Sequence, residues 1–293
     1  VGVVRTSRER SQPARVSHGA REVVARCFAD ADHPPAAQRL RVVEEHALRI
    51  NVADVASFTL MWTRTDAPGA AGYLACDGVL ADSDALALAA GFLFAEGLID
   101  GIDDVAEMAT CPDTPDVLRV RLACEERALM RPRNSVIASA CGMCGDGVPV
   151  SSEARVQDRL RLRLRDVQRM IAAMESRQYL FNTTGGAHAA SLFDASCRVL
   201  ATAEDLGRHN ALDKVIGRCL LERVGTAGCG AVLSGRASLE MIVKAARAGL
   251  ELVAAVSAPT TLAIDTAERA GITLCGFVRN GRLTAFTHPH RLG

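Results

Sequence analysis

Apolar and polar positions alternate in short stretches through "EEHALRINVADVASFTLMWTRT" (44–65), the two-residue period of half-buried strands. "VLRVRLA" (117–123) repeats that period and predicts another strand. Between them, "DSDALALAAGFLFAEGLI" (82–99) opens on acidic and Ser capping residues and continues apolar, which predicts a helix. "APGAAGYLACDG" (67–78) reads as loop. Residues 1–40 show no sustained period and predict a mobile start, with a strand near Val23–Cys27. Together these elements predict a small strand-rich N-terminal domain over 41–150.

After residue 150 the period changes from element to element. "SEARVQDRLRLRLRDVQRMIAAMES" (152–176) reads as helix, chiefly from Arg165 on, and "HAASLFDASCRVLAT" (188–202) as a hairpin. "EDLGRHNALDKVIGRCLLERV" (204–224) puts Leu212, Val215, Ile216, Cys219 and Leu220 on one helix face. "GAVLS" (230–234) and "ELVAAVS" (251–257) read as strands. Each is followed by a helix: "ASLEMIVKAARAG" (237–249), ending at Gly249, and "PTTLAIDTAERAG" (259–271), with Pro259 in its first turn. "ITLCGFV" (272–278) and "RLTAFTH" (282–288) flank Asn280-Gly281, a hairpin-turn signal. This order predicts a three-layer α/β/α domain over 151–293.

Composition narrows the function classes. The 34 basic residues are matched by 34 acidic ones, which argues against a nucleic-acid binder. Among the basic residues only Lys214 and Lys244 are lysine. They are either chance survivors of a compositional bias or places where arginine's planar fork will not serve. Most of the ten cysteines are scattered singly, and Cys197, Cys219, Cys229 and Cys275 sit among apolar residues as small core fillers do. No apolar run approaches the ~20 residues of a membrane span, and no secretory leader is read. The expectation is a cytoplasmic protein with reduced thiols, no membrane and no nucleic acid among its partners.

Chemistry concentrates in five stretches. In "SACGMCGDGVPV" (139–150), Cys141 and Cys144 form a Cys-x-x-Cys pair on a glycine-rich loop. Such a pair can hold a metal, cycle through a disulfide, or carry a group on one thiolate. Zinc would need further ligands, and no second pair stands at zinc-site spacing. In "TTGGAHAA" (183–190), Gly185 and Gly186 free backbone amides before His188; a tight turn into a hairpin is the plain alternative. "EDLGRHNALDK" crowds Arg208, His209, Asn210, Asp213 and Lys214 into one and a half helical turns, denser than a solvated face usually carries. "SGRAS" (234–238) and "SAPT" (257–260) both join a strand to a helix, where free amides and the positive helix end suit a phosphate. Ser234, Gly235, Arg236 and Ser257 would line that crevice, with helix capping by Ser234 or Ser238 as competitor. No Walker-type lysine loop is present, which excludes the usual nucleoside triphosphatase.

These stretches, with "GFLFAEGLI" (91–99), "SGRASLEMIVKAARAG" (234–249), "SAPTTLAIDTAE" (257–268) and "GFVRNGRLTAFTHPHRL" (276–292), resemble the formate dehydrogenase accessory sulfurtransferases, the FdhD proteins. The resemblance implies a sulfur carrier. Such a carrier takes persulfide sulfur from a cysteine desulfurase. It passes the sulfur to molybdenum in the bis(molybdopterin guanine dinucleotide) cofactor, for formate dehydrogenase. Cys141 then matches the persulfide-bearing cysteine and Cys144 its partner. Phe277, Val278, Arg279, Asn280, Gly281 and Arg282 match the family's cofactor-contacting segment, and the cofactor, or a guanine nucleotide, is bound cargo. The resemblance also implies a cytidine deaminase-like main domain and a homodimer. On the residues, Arg208, His209, Asn210, Lys214, Ser234, Arg236 and Ser257 are expected on the cofactor side.

The sequence departs from the family at 44–54, where "EEHALRINVAD" replaces the usual "EEPLxIxVNG", and in the longer link at 64–84. Rival readings are a non-catalytic chaperone that only holds the molybdenum cofactor, a disulfide reductase and a zinc-dependent deaminase. The deaminase lacks its His-x-Glu and Pro-Cys-x-x-Cys signature here.

Overall fold

The computed structural model describes residues 18–28, 35–66, 72–75, 78–81, 83–111, 113–123 and 155–293. Cys141 and Cys144 lie outside the described residues.

A two-stranded antiparallel ribbon comes first, β1 (Ala20–Cys27) against β2 (Ala36–Val43). The strand expected near Val23–Cys27 is the end of β1; its partner, in which Leu40 and Val42 alternate with Arg39 and Arg41, was not expected. Next are β3 (His46–Val52), β4 (Ala56–Trp62), β5 (Tyr73–Ala75) and β6 (Gly78–Ala81). Helix α1 (Asp84–Ala95), β7 (Val105–Thr110) and β8 (Val117–Leu122) follow. The strands form one six-stranded sheet in the order β4-β3-β8-β7-β5-β6. Alternation builds it: Leu48, Ile50 and Val52 of β3 are buried while Arg49 is exposed. The stretch read as loop at 67–78 contains β5, which is too short to show a period and exists by pairing with β7.

The second half holds α2 (Leu164–Glu175), α3 (Tyr179–Thr184), β9 (His188–Phe193), β10 (Val199–Asp205), α4 (Arg208–Leu221) and β11 (Gly230–Leu233). It continues with α5 (Leu239–Arg247), β12 (Leu252–Ala255), α6 (Thr261–Ala270), β13 (Thr273–Arg279) and β14 (Arg282–Ala285). The mixed sheet runs β10-β9-β11-β12-β13-β14, with β11, β12 and β13 parallel. Its strands are apolar on both faces. Val232, Leu252 and Ala254 pack with Met170, Ile171 and Met174 of α2. Ala231, Leu233, Val253 and Ala255 join the larger core with α1, α4 and α5. That larger core is continuous with Leu48, Ile50 and Leu118 of the first sheet.

Two boundaries shift from the expected ones. Helix α4 starts at Arg208, because Glu204 and Asp205 belong to β10 and the Asp205 carboxylate accepts the Gly207 amide at 2.9 Å. Pro259 precedes the α6 cap, Thr260, whose hydroxyl accepts the Ala263 amide. The Asn280-Gly281 turn is as expected: both residues take positive φ, 51° and 75°, between paired Arg279 and Arg282.

Helices α1 and α4 meet backbone to backbone. A Cβ on Gly91 would stand 1.9 Å from the Asp213 carbonyl oxygen, and one on Gly217 1.8 Å from that of Ala87. Only glycine fits at either place.

Candidate functional site

The carboxyl ends of the parallel strands β11 and β12 open onto the N-terminal ends of α5 and α6, where ligands gather in open α/β sheets. Strand β9 runs antiparallel to β11, with Leu233 opposite Ala190, so His188 at the start of β9 arrives at the same edge. Ser234 Oγ accepts the Ala189 amide at 2.8 Å and pins the two strands together. The Thr260 amide donates to the Ala237 carbonyl at 3.0 Å, tying the two strand-to-helix loops to each other.

Four predicted residues converge on the first loop. A Cβ on Gly235 would lie 3.2 Å from His188 Nδ1 and 3.8 Å from Arg208 Cβ, so backbone, imidazole and arginine stem share one small space. Arg236, exposed, lies in the same field. The field is positive. Burial, then Arg208, His209 and Arg236, push the His188 imidazole below its ordinary range. Burial and Arg236 push Arg208 down as well. Among the described residues Arg208 Nε is buried without a hydrogen-bond partner. Arg208 and Arg236 repel each other, and the buried Arg208 Nε lacks an acceptor, two features that a bound anion would offset.

His209 sits one layer deeper. Its Nε2 is 2.7 Å from Glu240 Oε2 and 3.4 Å from Ser238 Oγ. The hydrogen bond from His209 is the main cause that holds the Glu240 carboxyl below its usual range. Glu240 and Ser238 were not singled out from the sequence for this contact, because nothing local brings α5 onto α4.

Asn210 and Lys214 do not line the crevice, and the reading that placed them there is corrected. The Asn210 amide donates to the Met61 carbonyl at 2.7 Å and to Asp205 at 2.8 Å. Lys214 is fully buried, with Nζ 2.7 Å from the Thr63 carbonyl, 3.1 Å from that of Glu204, and 3.0 Å and 3.3 Å from the Asp205 and Asp84 carboxylates. Both bind α4 to the first sheet.

Gly185, at φ 68°, ends α3, and Gly186 follows it; both are exposed beside His188. Ser257 lies past β12, and its carbonyl accepts the Phe277 amide at 3.1 Å. The register of β13 against β14 slips between Gly276 and Arg279. That bulge turns Phe277 outward at φ 54°, 41% exposed, and Val278 inward, buried. Arg279, Asn280, Gly281 and Arg282 form an exposed hairpin tip past the strand edge.

A separate cavity of about 490 Å³ lies at the opposite edge of the sheet, lined by Arg161, Arg163, Arg169 and Cys197 among others. Its arginines are already paired, Arg161 with Asp158 and Arg163 and Arg169 with Asp166. No group of three or more His, Cys, Asp or Glu placed to hold a metal occurs among the described residues. No helix among them is long and apolar enough to cross a membrane.

The FdhD/NarQ family model matches residues 79–293. A sulfur carrier protein FdhD from Bordetella bronchiseptica is 41% identical over 210 residues, covering 70% of this chain and 76% of that one. Another so described, from Thermoplasma acidophilum, is 39% identical over 210 residues, covering 70% and 74%. A third, from Anaeromyxobacter dehalogenans, is 41% identical over 242 residues, covering 73% and 80%. Among solved structures, a candidate formate dehydrogenase accessory protein from Desulfotalea psychrophila superposes with a TM-score of 0.69. It is 22% identical and covers 93% of this chain and 99% of that one, a likeness of fold.

Proposed function

The chain belongs to the FdhD/NarQ family, and we propose that it is a sulfur carrier for the molybdenum of a bis(molybdopterin guanine dinucleotide) cofactor used by a formate dehydrogenase. One observation carries the reading. A chain whose relatives are sulfur carriers combines a Cys-x-x-Cys pair with an arginine-lined crevice at a strand carboxyl edge.

The crevice fits the cargo's pyrophosphate. Arg208 and Arg236 supply forked donors, and Gly235 leaves its backbone open to close approach. Exposed Phe277 and the Arg279–Arg282 tip are placed to meet the flatter parts of the ligand. The division into a strand-rich unit, 41–150, and a three-layer, cytidine deaminase-like unit, 151–293, belongs to the same proposal. The packing of α2 on one sheet face and of α4 and α5 on the other supports it. A homodimeric state is part of the same proposal.

The sulfur steps balance without an added oxidant. The Cys141 thiolate attacks the outer sulfur of a cysteine desulfurase persulfide. The donor S–S bond breaks, a new one forms on Cys141, and the donor thiolate leaves. For release, the Cys144 thiolate attacks the inner sulfur, closes a Cys141–Cys144 disulfide and expels hydrosulfide to the metal. The two thiols supply the electron pair, and a dithiol reductant resets the carrier. Described chain resumes at Arg155, beside the C-terminal end of α6, with the Val156 amide on the Ala270 carbonyl. Fourteen residues span at most about 46–50 Å, so tether length does not forbid Cys141 from serving either end of the molecule.

Intact-protein mass spectrometry after incubation with a cysteine desulfurase and cysteine tests this. The expected result is a dithiothreitol-sensitive gain of one sulfur atom, kept in Cys144→Ala and absent in Cys141→Ala. No gain on any variant with an active donor would favour a chaperone that only holds the cofactor. That chaperone would still activate its target as Cys141→Ala.

A further inference from the structure

The His188 imidazole is the one group in the crevice whose charge can change near neutral pH while facing the place an anion would occupy. The charged groups that act on it are Arg208 and His209 of α4, Arg236 of the loop after β11 and Asp205 at the end of β10. Glu240 of α5 is engaged with His209 at 2.7 Å. The half-buried ring lies against the backbone of Gly235, on the side that the Arg208 stem also reaches.

We propose that His188 takes up a proton when a pyrophosphate diester enters the crevice, so that cargo is held more tightly at lower pH and let go as pH rises. This rests on the cofactor-binding reading of the crevice. The empty crevice holds two arginines within repulsive range, and a third cation on a half-buried ring is disfavoured there. A doubly charged pyrophosphate reverses the sign of that field. The imidazolium then gains a partner, and Nδ1 and Nε2 both become donors. Proton uptake and anion binding are thereby linked, as a pKa difference between two states always requires. The sign follows: the neutral empty state sits below the ordinary imidazole value near 6.5, the bound state above it, and affinity falls as pH climbs through the bound-state value.

Diguanosine pyrophosphate is the suitable probe, because a pyrophosphate diester does not itself titrate near neutrality. Isothermal titration calorimetry from pH 6 to 8, in two buffers of different ionisation enthalpy, reads affinity and proton uptake together. Wild-type protein is expected to take up a fraction of a proton and to lose affinity by up to about tenfold per pH unit, the limit for one linked proton. His188→Gln is expected to bind more weakly at pH 6, with flat affinity and no proton uptake. Binding by wild type without proton uptake, or uptake that persists in His188→Gln, overturns the inference and leaves the crevice reading standing. No binding at any pH removes the crevice reading and this inference with it. Should the variant not fold, the wild-type buffer comparison decides alone, since absence of uptake is already fatal.

Discussion

Lys214 shows what a single side chain does here and how little of it is local. Its ammonium reaches two carbonyls and two carboxylates in different directions, 5.1 Å from the centre of the Trp62 ring. A compact charge with rotating donors satisfies such a cage; a planar guanidinium does not. Lys244, the other lysine, makes a buried pair with Asp213 at 2.5 Å. The scarcity of lysine was therefore a readable signal, but its meaning was not. The acceptors around Lys214 come from Thr63 just past β4, from β10 and from α1, up to 151 positions away. Lys214→Met would remove the ammonium that the buried Asp84 and Asp205 carboxylates share, leaving Asp84 with Arg218 and Asp205 with neutral donors alone. It is expected to lose about 3–5 kcal/mol of unfolding free energy, read from urea denaturation. Lys214→Arg should also be destabilised, and wild-type stability in it would contradict the cage.

The seam between α1 and α4 joins the two sheets into one core. Gly91 and Gly217 let the helices close until backbone meets backbone, and Asp84 at the start of α1 then pairs with Lys214 and Arg218 of α4. Gly217→Ala forces the axes apart and is expected to cost about 1–3 kcal/mol or more, seen as a lower thermal midpoint. An unchanged midpoint would mean the seam has room that its geometry denies. Elements with strong local signals, such as the capped apolar run of α1, the alternation of β8 and the strand-to-helix pairs from β11 on, were readable. Strands β5, β6 and β7 and the second strand of the ribbon were not, because short or exposed strands exist by pairing rather than by pattern.

The response of the whole fold to acid follows from the same network. Burial alone would raise the Asp84 carboxyl, but Lys214, then Arg218 and the Thr65 hydrogen bonds, outweigh it and hold it well below its ordinary value near 3.8. A carboxyl depressed in the folded state contributes stability that is fully present above its unfolded value and is lost progressively as pH falls from there toward its lower folded value. Urea midpoints are therefore expected to drop as pH falls below about 4, with a shallower drop in Asp84→Asn. Equal slopes in the two proteins would place the acid sensitivity elsewhere.

By itself the sequence determined the mixed α/β class, the order of elements after residue 180, the paired loops at 234–238 and 257–260, and the family. All of these rest on local periods, turn chemistry and short motifs, which need no knowledge of neighbours. Only the tertiary structure decided which members of "RHNALDK" reach the crevice and which are claimed by the core. Successive positions on α4 point in different directions, and β10, α1 and α5 claim Asn210, Lys214 and His209. Arg208 keeps a buried Nε without a partner, and its stem shares the space around Gly235 with His188. Partition between core and crevice is a property of the surfaces that close around a helix, and a linear pattern does not contain them.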